Sequence, residues 1–445
     1  MKQLIYNVIA AMFVMGIAAC SNSEYLCVDV KSPSATVDTL TYWEQVSLLD
    51  NYQLSETAVL KSVEKFSQAA LIPCTRAMDG NLDLKIVSKQ NVYLDELSRC
   101  SENVGHKKDS IPIYKVQMEK GGNHGYALVS GDIRTARILA FVPNTNSDMT
   151  YEEYQIISLL KNCSVRTCLK QVRSFNTVKD SLARTASNKH LNHSRSTALT
   201  IDEIYEKLEQ GWQLEWSNKK IPELSVTWGQ GYPYNCKLPQ KECTNAAYDY
   251  RCPAGCGVVA IAHALAYYEP KLSVYGQQVD WKMLKKQKNI ASTANSQLKN
   301  QIGFLMKWIG EKAGATYECD ATSTKNNTIE VVLGLVGMQC DKQSSFNWNG
   351  IYNSINNGNI VEANARGFDS RQNKEVGHSW IIDGYMIARL DAGSDHYQEF
   401  YVHNNFGWNG SFDGYFLLED EGIKFEVPDV DFDKMLNIHA NIKKK

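Results

Sequence analysis

Residues 252–268 read CPAGCGVVAIAHALAYY and place a cysteine where a helix is expected to begin. Pro253 and Gly255 disfavour helix before Cys256, and the apolar, alanine-rich run after it is typical of a buried helix. At a helix N-terminus, unpaired backbone N–H groups and the helix dipole favour a thiolate, the nucleophilic form of cysteine. Cys256 is therefore a candidate nucleophile. The alternative is a structural cysteine buried beneath a loop.

A second pattern, GHSWIIDGY at residues 377–385, has a histidine that opens an apolar strand ending in a turn. His378 follows Cys256 by 122 residues. A cysteine followed by a histidine more than about a hundred residues later is the order of papain-like thiol proteases. The imidazole can pair with the thiolate and later protonate the leaving amine, so His378 is the predicted general base and acid.

Two further patterns complete a possible thiol site. In HNNFGWNG (403–410), an asparagine soon after the histidine can hold the imidazole tautomer, and Trp408 can shield that bond. In WGQGYPYN (228–235), the side-chain amide of Gln230 can complete an oxyanion hole with the backbone N–H of Cys256 or Gly257. Each pattern alone fits a structural loop, but their order along one chain favours catalysis.

Together these segments resemble the streptopain-like cysteine peptidases, whose catalytic domain is papain-like. The resemblance rests on WGQGYPYN (228–235), AGCGVVAIAHALAYY (254–268), GHSWIIDGY (377–385) and NFGWNGSFDGYF (405–416). It implies that Cys256 is the nucleophile, His378 the general base and acid, and Gln230 the oxyanion donor. It also implies that Asn405 and Trp408 support the histidine.

The chain departs from the family pattern at three positions. The family usually has tryptophan where Phe406 stands, a valine-like residue where Gly257 stands, and glutamine where His263 stands. Phe406 keeps the ring but loses an N–H donor. Gly257 still supplies its N–H at a cost of about 1 kcal/mol in helix propensity. Since the thiol, the imidazole and the Gln230 amide all remain, we expect an active enzyme.

The N-terminal half resembles the inhibitory propeptide of the same family. Residues 59–71 have helical apolar spacing, and residues 111–142 read as strands with a hairpin at Gly121-Gly122-Asn123. The segments YALVSGDIR (126–134) and ILA (138–140) carry the resemblance. We therefore predict an α+β fold in which an α+β propeptide domain (20–172) precedes a papain-like catalytic domain (223–445). The propeptide is expected to inhibit its own enzyme.

A polar linker separates the two predicted domains. Residues 173–199 are poor in large apolar side chains, so they are not expected to bury enough surface to offset their ordering entropy. We assign 173–222 as linker and processing region. Activating cleavage is expected between about Lys179 and Lys220, where basic residues lie in an exposed, polar stretch.

The first residues are typical of an export signal. An apolar run from Leu4 to Ala19 is followed by Cys20. The run is shorter than the roughly 20 residues of a membrane span and ends like a cleavage site. Small residues before Cys20 resemble a bacterial lipobox, which implies removal of residues 1–19 and a lipid on Cys20. We expect an exported lipoprotein of the bacterial cell envelope, in the outer membrane or on the cell surface, with release after processing as an alternative.

Twelve cysteines are present. Apart from Cys20 and Cys256, we expect Cys236 to bond with Cys243 or Cys252 and Cys319 with Cys340, although connectivity does not follow from sequence.

Composition and motifs exclude several functions. The 445 residues carry a formal net charge of −2, whereas a dedicated nucleic-acid binder usually has a basic excess, so no nucleic-acid partner is expected. There is no HExxH, no phosphate-binding glycine loop and no GxSxG. Cys252, Cys256 and His263 have poor zinc spacing. We therefore expect no metal or organic cofactor.

The predicted function is a cysteine endopeptidase made as a zymogen, with protein or peptide substrates. Two alternatives stay open. One is a thiol amidase or acyltransferase that uses the same cysteine and histidine. The other is a non-catalytic surface lipoprotein that keeps the fold as an adhesin or inhibitor.

Overall fold

In a computed structural model, the described residues form helices, one large antiparallel sheet and three two-stranded sheets. The structure describes residues 40–70, 82–93, 110–135, 137–145, 164–192, 214–220, 224–325, 327–369, 374–392, 395–418, 425–427 and 430–445. The predicted signal segment and Cys20 lie outside these ranges. Within them, no helix is long and apolar enough to cross a membrane.

The helices in the described ranges are α1 (Tyr42–Ser47), α2 (Glu56–Ala70), α3 (Ser164–Asn192), α4 (Cys256–Tyr268), α5 (Trp281–Leu284), α6 (Ser296–Lys312), α7 (Thr328–Leu335) and α8 (Trp348–Asn356). A short 3₁₀ helix covers Ala246–Tyr248.

The longer strands are β1 (Asp83–Tyr93), β2 (Ser110–Lys120), β3 (Asn123–Ser130), β4 (Ile138–Val142), β5 (Leu214–Lys220), β12 (Val361–Asp369), β13 (Lys374–Ala392), β14 (Asp395–Asn405), β15 (Gly414–Leu417), β16 (Phe425–Val427) and β17 (Val430–His439). The two-residue strands are β6 (Ser273–Val274), β7 (Gln277–Gln278), β8 (Thr316–Tyr317), β9 (Thr322–Ser323), β10 (Met338–Gln339), β11 (Ser344–Ser345) and β18 (Lys443–Lys444).

One twelve-stranded sheet runs through both predicted domains. Its order is β1-β2-β3-β4-β15-β14-β13-β12-β17-β11, with β16 on β17 and β5 on β13. The two halves meet where β4 pairs with β15, in the register Phe141 to Tyr415 and Ala140 to Phe416. The mixture of helices and sheet confirms the predicted α+β class.

The N-terminal part follows the sequence pattern closely. The predicted helix is confirmed as α2, whose Val59, Val63 and Phe66 are fully buried. The predicted hairpin is confirmed between β2 and β3. Its two-residue turn has positive φ at Gly121 and Gly122, 58° and 81°, which suits glycine.

The linker prediction is wrong in one respect, because residues 164–192 form the long helix α3. The helix buries a narrow stripe, Leu169, Val172 and Phe175, and the Phe175 ring lies 5.8 Å from that of Trp43. Lys189 adds an ion pair to the buried Glu44 at 2.9 Å. A narrow apolar stripe is enough when a partner helix covers it. The predicted domain boundaries are not tested by this and stay predictions.

A second core surrounds α4 in the C-terminal part. Val258, Ile261 and Leu265 of this helix pack with Ile302 and Leu305 of α6, and all are buried. The predicted helix from Cys256 is therefore confirmed, and its buried environment fixes the position of its first residue.

The disulfide pairing differs from the sequence expectation. Cys243 is bonded to Cys319, whereas Cys236, Cys252 and Cys340 are free thiols. The bond ties the connection between β8 and β9 to the segment that precedes the nucleophile helix. Spacing along the chain gave no sign of this, because the partners are 76 residues apart.

Candidate active site

Cys256 is the first residue of α4, as its sequence context predicts. Gly255, just before it, has φ of +93°, a conformation that side chains rarely adopt. A Cβ at that position would also lie 2.8 Å from the carbonyl oxygen of Thr322. Glycine is thus required here, and it turns the chain sharply so that the Cys256 side chain stands at the open end of the helix.

The Cys256 thiol lies beside the strand that carries His378. Its Sγ is 3.9 Å from the carbonyl oxygen of Gly377, at the long end of a thiol hydrogen bond. Burial raises the pKa of Cys256, although the backbone N–H groups of Ser379 and Gly257 act to lower it. The sequence predicts a stabilised thiolate, and the structure differs because desolvation outweighs the helix terminus.

His378 lies on β13 and is buried against aromatic rings. Its Nε2–H donates to the carbonyl oxygen of Phe406 at 2.8 Å. Since a carbonyl only accepts, Nε2 carries the proton and Nδ1 is the basic nitrogen. The imidazole stacks on Trp408 with ring centroids 4.4 Å apart, the position predicted for that tryptophan. Burial lowers the pKa of His378 to about 4, against the effect of the Phe406 carbonyl, so the imidazole is neutral at pH 7.

Asn405 hydrogen-bonds to backbone groups near the imidazole, whose Nε2 is bonded to the Phe406 carbonyl. Its Nδ2 donates to the carbonyl oxygen of Val226 at 2.9 Å, and its Oδ1 accepts from the N–H of Gly407 at 3.3 Å. The Gly407 N–H belongs to the same peptide unit as the Phe406 carbonyl. Asn405 therefore holds the peptide that holds His378. No side-chain pattern could have predicted a backbone carbonyl in this place.

Gln230 lies alongside the loop that leads to the nucleophile. Its carbonyl oxygen accepts from the N–H of Ala254 at 2.8 Å. A Cβ at Gly229 would lie 2.4 Å from Oδ1 of Asn409, so the Gln230 segment also packs on the loop after Asn405. The sequence thus brings Gln230 to the nucleophile loop, while its role as an oxyanion donor stays a prediction.

Thr324 accounts for the unusual glycine after the nucleophile. A Cβ at Gly257 would lie 2.2 Å from the Thr324 Oγ1, so the valine-like residue of the family pattern would require the Thr324 hydroxyl to move. Nearby, the hydroxyl of Thr322 donates to the Pro253 carbonyl at 2.7 Å. The segment after the Cys319 disulfide thus packs directly on the nucleophile loop. Sequence reasoning missed this contact, because Thr324 carries no motif.

His263 is fully buried on α4, seven residues after Cys256, and lies near Trp228, with ring centroids 6.1 Å apart. Burial lowers the pKa of His263 to about 3, so it is a neutral side chain of the core. Within the ranges that the structure describes, no three His, Cys, Asp or Glu residues are placed to hold a metal ion.

The predicted propeptide touches the loop that carries the contacts of His378. We call residues 405–413 the histidine loop. The N–H of Phe412 donates to the carbonyl oxygen of Asn144 at 3.2 Å, next to the pairing of β4 with β15. A Cβ at Gly414 would lie 2.3 Å from the carbonyl oxygen of Phe141, so the two backbones are in close contact.

The comparisons with known proteins agree with this site. Residues 228–416 match the Peptidase C10 family, a segment that holds all five predicted residues of the thiol site. This match confirms the resemblance to streptopain-like cysteine peptidases. The comparison with curated proteins gave no match.

Two solved structures from Prevotella intermedia are similar to the chain. The active wild-type interpain A cysteine protease shares 19% identity over 50% of this chain and 95% of its own, with a TM-score of 0.38. A fragment of prointerpain A shares 16% identity over 80% of this chain and 100% of its own, with a TM-score of 0.42.

Proposed function

We propose, since residues 228–416 match the Peptidase C10 family, that the chain is the precursor of a cysteine endopeptidase. The observation that carries the proposal is the Cys256 thiol at the start of α4, beside the strand of a buried histidine that stacks on Trp408. These are the parts that a thiol peptidase needs: a nucleophile, a base and a tryptophan that covers the base.

The first half-reaction forms an acyl-enzyme. Nδ1 of His378 accepts the Cys256 proton, and Sγ attacks the scissile carbonyl carbon. The oxyanion that develops is stabilised by the Gln230 amide and a backbone N–H at the start of α4. His378 then gives the proton to the leaving amine, the C–N bond breaks, and a thioester remains on Cys256.

Water completes the cycle. His378 removes a proton from a water molecule, whose oxygen attacks the thioester carbonyl in the same oxyanion site. The C–S bond breaks, the acid product leaves, and the proton returns to the thiolate and imidazole pair. Asn405 and Trp408 keep the imidazole oriented through both steps, Asn405 by way of the Phe406–Gly407 peptide.

We propose that the contacts of residues 137–145 keep the precursor latent. Strand β4 pairs with β15, and Asn144 accepts from Phe412 of the histidine loop. In this state burial raises the pKa of Cys256 and lowers that of His378. We infer that release of this segment opens the site to water, which stabilises the charged pair that the reaction needs.

One experiment tests the enzyme. The chain from Cys20 onward is produced as wild type and as Cys256→Ala, and self-conversion and casein cleavage are followed with and without an epoxide thiol inhibitor. We expect wild type to convert and cleave, with both activities lost in Cys256→Ala. A mild protease is added in parallel, in case a separate activator is needed. Absence of both conversion and labelling in all arms contradicts the proposal, and labelling without cleavage supports the acyltransferase alternative.

We also propose export and lipid anchoring at Cys20, supported by the apolar run that ends at Ala19. The lipid would hold the precursor at a membrane of the bacterial cell envelope. Growth of a producing bacterium with a clickable fatty acid tests this: wild type should incorporate the label and Cys20→Ala should not. Equal labelling of the two proteins contradicts the proposal.

A further inference from the structure

Asp413 is a buried carboxylate at the end of the histidine loop. Asp413 is 8% exposed, and its Oδ1 accepts a hydrogen bond from the backbone N–H of Phe406 at 2.9 Å. It precedes β15 directly, and it is neither the acid, the base nor the nucleophile of the proposed reaction. Burying a carboxylate to this degree costs free energy unless the group is hydrogen-bonded and paired with other charges.

The Phe406 backbone is what Asp413 and His378 share. Asp413 accepts from its N–H, and its carbonyl accepts from Nε2–H of His378 at 2.8 Å. The next N–H, that of Gly407, is held by Asn405. Two buried side chains thus hold the backbone around the Cα atom of Phe406. Asp413 accepts from the N–H before that atom, and Asn405 accepts from the N–H that follows the Phe406 carbonyl.

Two ionisable side chains influence the pKa of Asp413. His403 faces it from β14 and favours its ionised form, whereas Asp383 faces it from β13 and disfavours that form. His403 Nδ1 lies 2.6 Å from Asp383 Oδ1. Burial raises the pKa of Asp413 to about 7, so the group is held at the balance between the acid and the carboxylate. Either form keeps an oxygen that can accept the Phe406 N–H.

We propose that Asp413 is a positioning residue for catalysis: by accepting the Phe406 N–H, it holds the Phe406 carbonyl where it keeps His378 protonated on Nε2 and basic on Nδ1. The inference rests on the proposed function, because it assigns a role within the same thiol site. Without this contact the carbonyl is free to turn, and the imidazole loses the partner that selects its tautomer.

The test compares Asp413→Ala, which removes the acceptor, with Asp413→Asn, which keeps Oδ1 and the shape. Both are made in the full chain and activated as the wild type is. The rate of Cys256 alkylation by iodoacetamide is measured against pH, together with kcat and KM on a peptide substrate. Alkylation needs no substrate, so its pH profile reports the cysteine and histidine pair itself.

We expect Asp413→Ala to lower kcat about tenfold to a hundredfold and to shift the alkylation profile, with KM changed by less than about threefold. Asp413→Asn should keep both the profile and kcat within about threefold of wild type. A purely structural role would lower the amount of folded enzyme without moving the pH profile.

Two results overturn the inference. One is an Asp413→Ala enzyme with the wild-type profile and kcat. The other is an Asp413→Asn enzyme that is folded yet loses kcat more than about tenfold, because the acceptor would then not be the feature that matters. If Asp413→Ala does not fold, the second comparison decides alone. Failure of the wild type to react with iodoacetamide at Cys256 contradicts the proposed function instead, so the two failures are distinct.

Discussion

At Gly414 the predicted propeptide and the catalytic part are in close contact. An alanine Cβ there would lie 2.3 Å from the Phe141 carbonyl oxygen and 3.1 Å from the Val142 Cα. Backbone atoms cannot rotate away as a side chain can, so Gly414→Ala forces β4 and β15 apart. The nearest atoms all belong to residues 141 and 142, which are predicted to leave with the propeptide.

The size of the effect follows from the short pairing of these strands, in which only Phe141 and Ala140 are matched with β15. Loss of two backbone hydrogen bonds at about 1 kcal/mol each gives about 2 kcal/mol, or roughly a 30-fold shift toward the undocked precursor. The processed enzyme no longer contains residues 140 and 141, so its kcat/KM should stay within about twofold of wild type.

The assay follows self-conversion of the chain from Cys20 onward by gel, and kcat/KM of the processed form on a peptide. Gly334→Ala is the matched control, because a Cβ on that residue of α7 meets no atom within 4 Å. We expect conversion to accelerate in Gly414→Ala and not in Gly334→Ala. Soluble Gly414→Ala precursor that converts at the wild-type rate would refute the role given to β4. A change of kcat/KM in processed Gly414→Ala that is as large as its change in self-conversion would refute that role too.

Three further changes probe the interface and the nucleophile loop. Phe66 is fully buried, and its ring lies 5.0 Å from that of Tyr401. Phe66→Ala should therefore destabilise the precursor by about 3–5 kcal/mol in thermal unfolding and leave the processed enzyme unchanged. A smaller loss of stability contradicts the packing. Burial raises the pKa of Glu399 to about 7, so its bound proton stabilises the fold below about pH 4.5 and this contribution disappears as the pH rises through about 7. The urea midpoint of the precursor should therefore fall more steeply between pH 5 and pH 8 in wild type than in Glu399→Gln. Equal falls in the two proteins would contradict the raised pKa of Glu399. Finally, Gly257→Ala should lower kcat/KM about tenfold through its clash with Thr324, and adding Thr324→Ala should restore most of it. A double variant as slow as the single one shows that the clash is not the cause.

Sequence reasoning succeeded where local chemistry fixes local structure. The helix from Cys256, the helix at residues 56–70 and the hairpin at Gly121 each follow from apolar spacing or turn residues within a short window. The four motifs also predicted that Cys256, His378 and Trp408 belong to one site. Such features need no knowledge of distant neighbours.

It failed where a distant partner decides the outcome. Helix α3 forms because α1 covers its stripe at Leu169, Val172 and Phe175, which composition alone does not reveal. The Cys243–Cys319 bond joins residues 76 apart. The predicted turn after Tyr385 is absent, since β13 runs on to Ala392 with β5 and β14 on its two edges.

The same limit applies to the electrostatics of the thiol. A helix terminus favours a thiolate in any sequence, but the pKa of Cys256 is raised here because burial in the folded precursor removes water from the thiol. That burial depends on β13, more than a hundred residues away along the chain. The expectation from the helix alone therefore had the wrong sign for this state.

The central claim is that Cys256 acts as a nucleophile activated by His378. The most direct measurement treats the activated chain with an epoxide thiol inhibitor and locates the adduct by peptide mass spectrometry, in wild type and in His378→Ala. We predict one adduct, on the peptide that contains Cys256, formed in wild type and largely absent in His378→Ala, with casein cleavage lost as the adduct forms. An adduct on another cysteine, or casein cleavage that persists after Cys256 is fully modified, would contradict the claim.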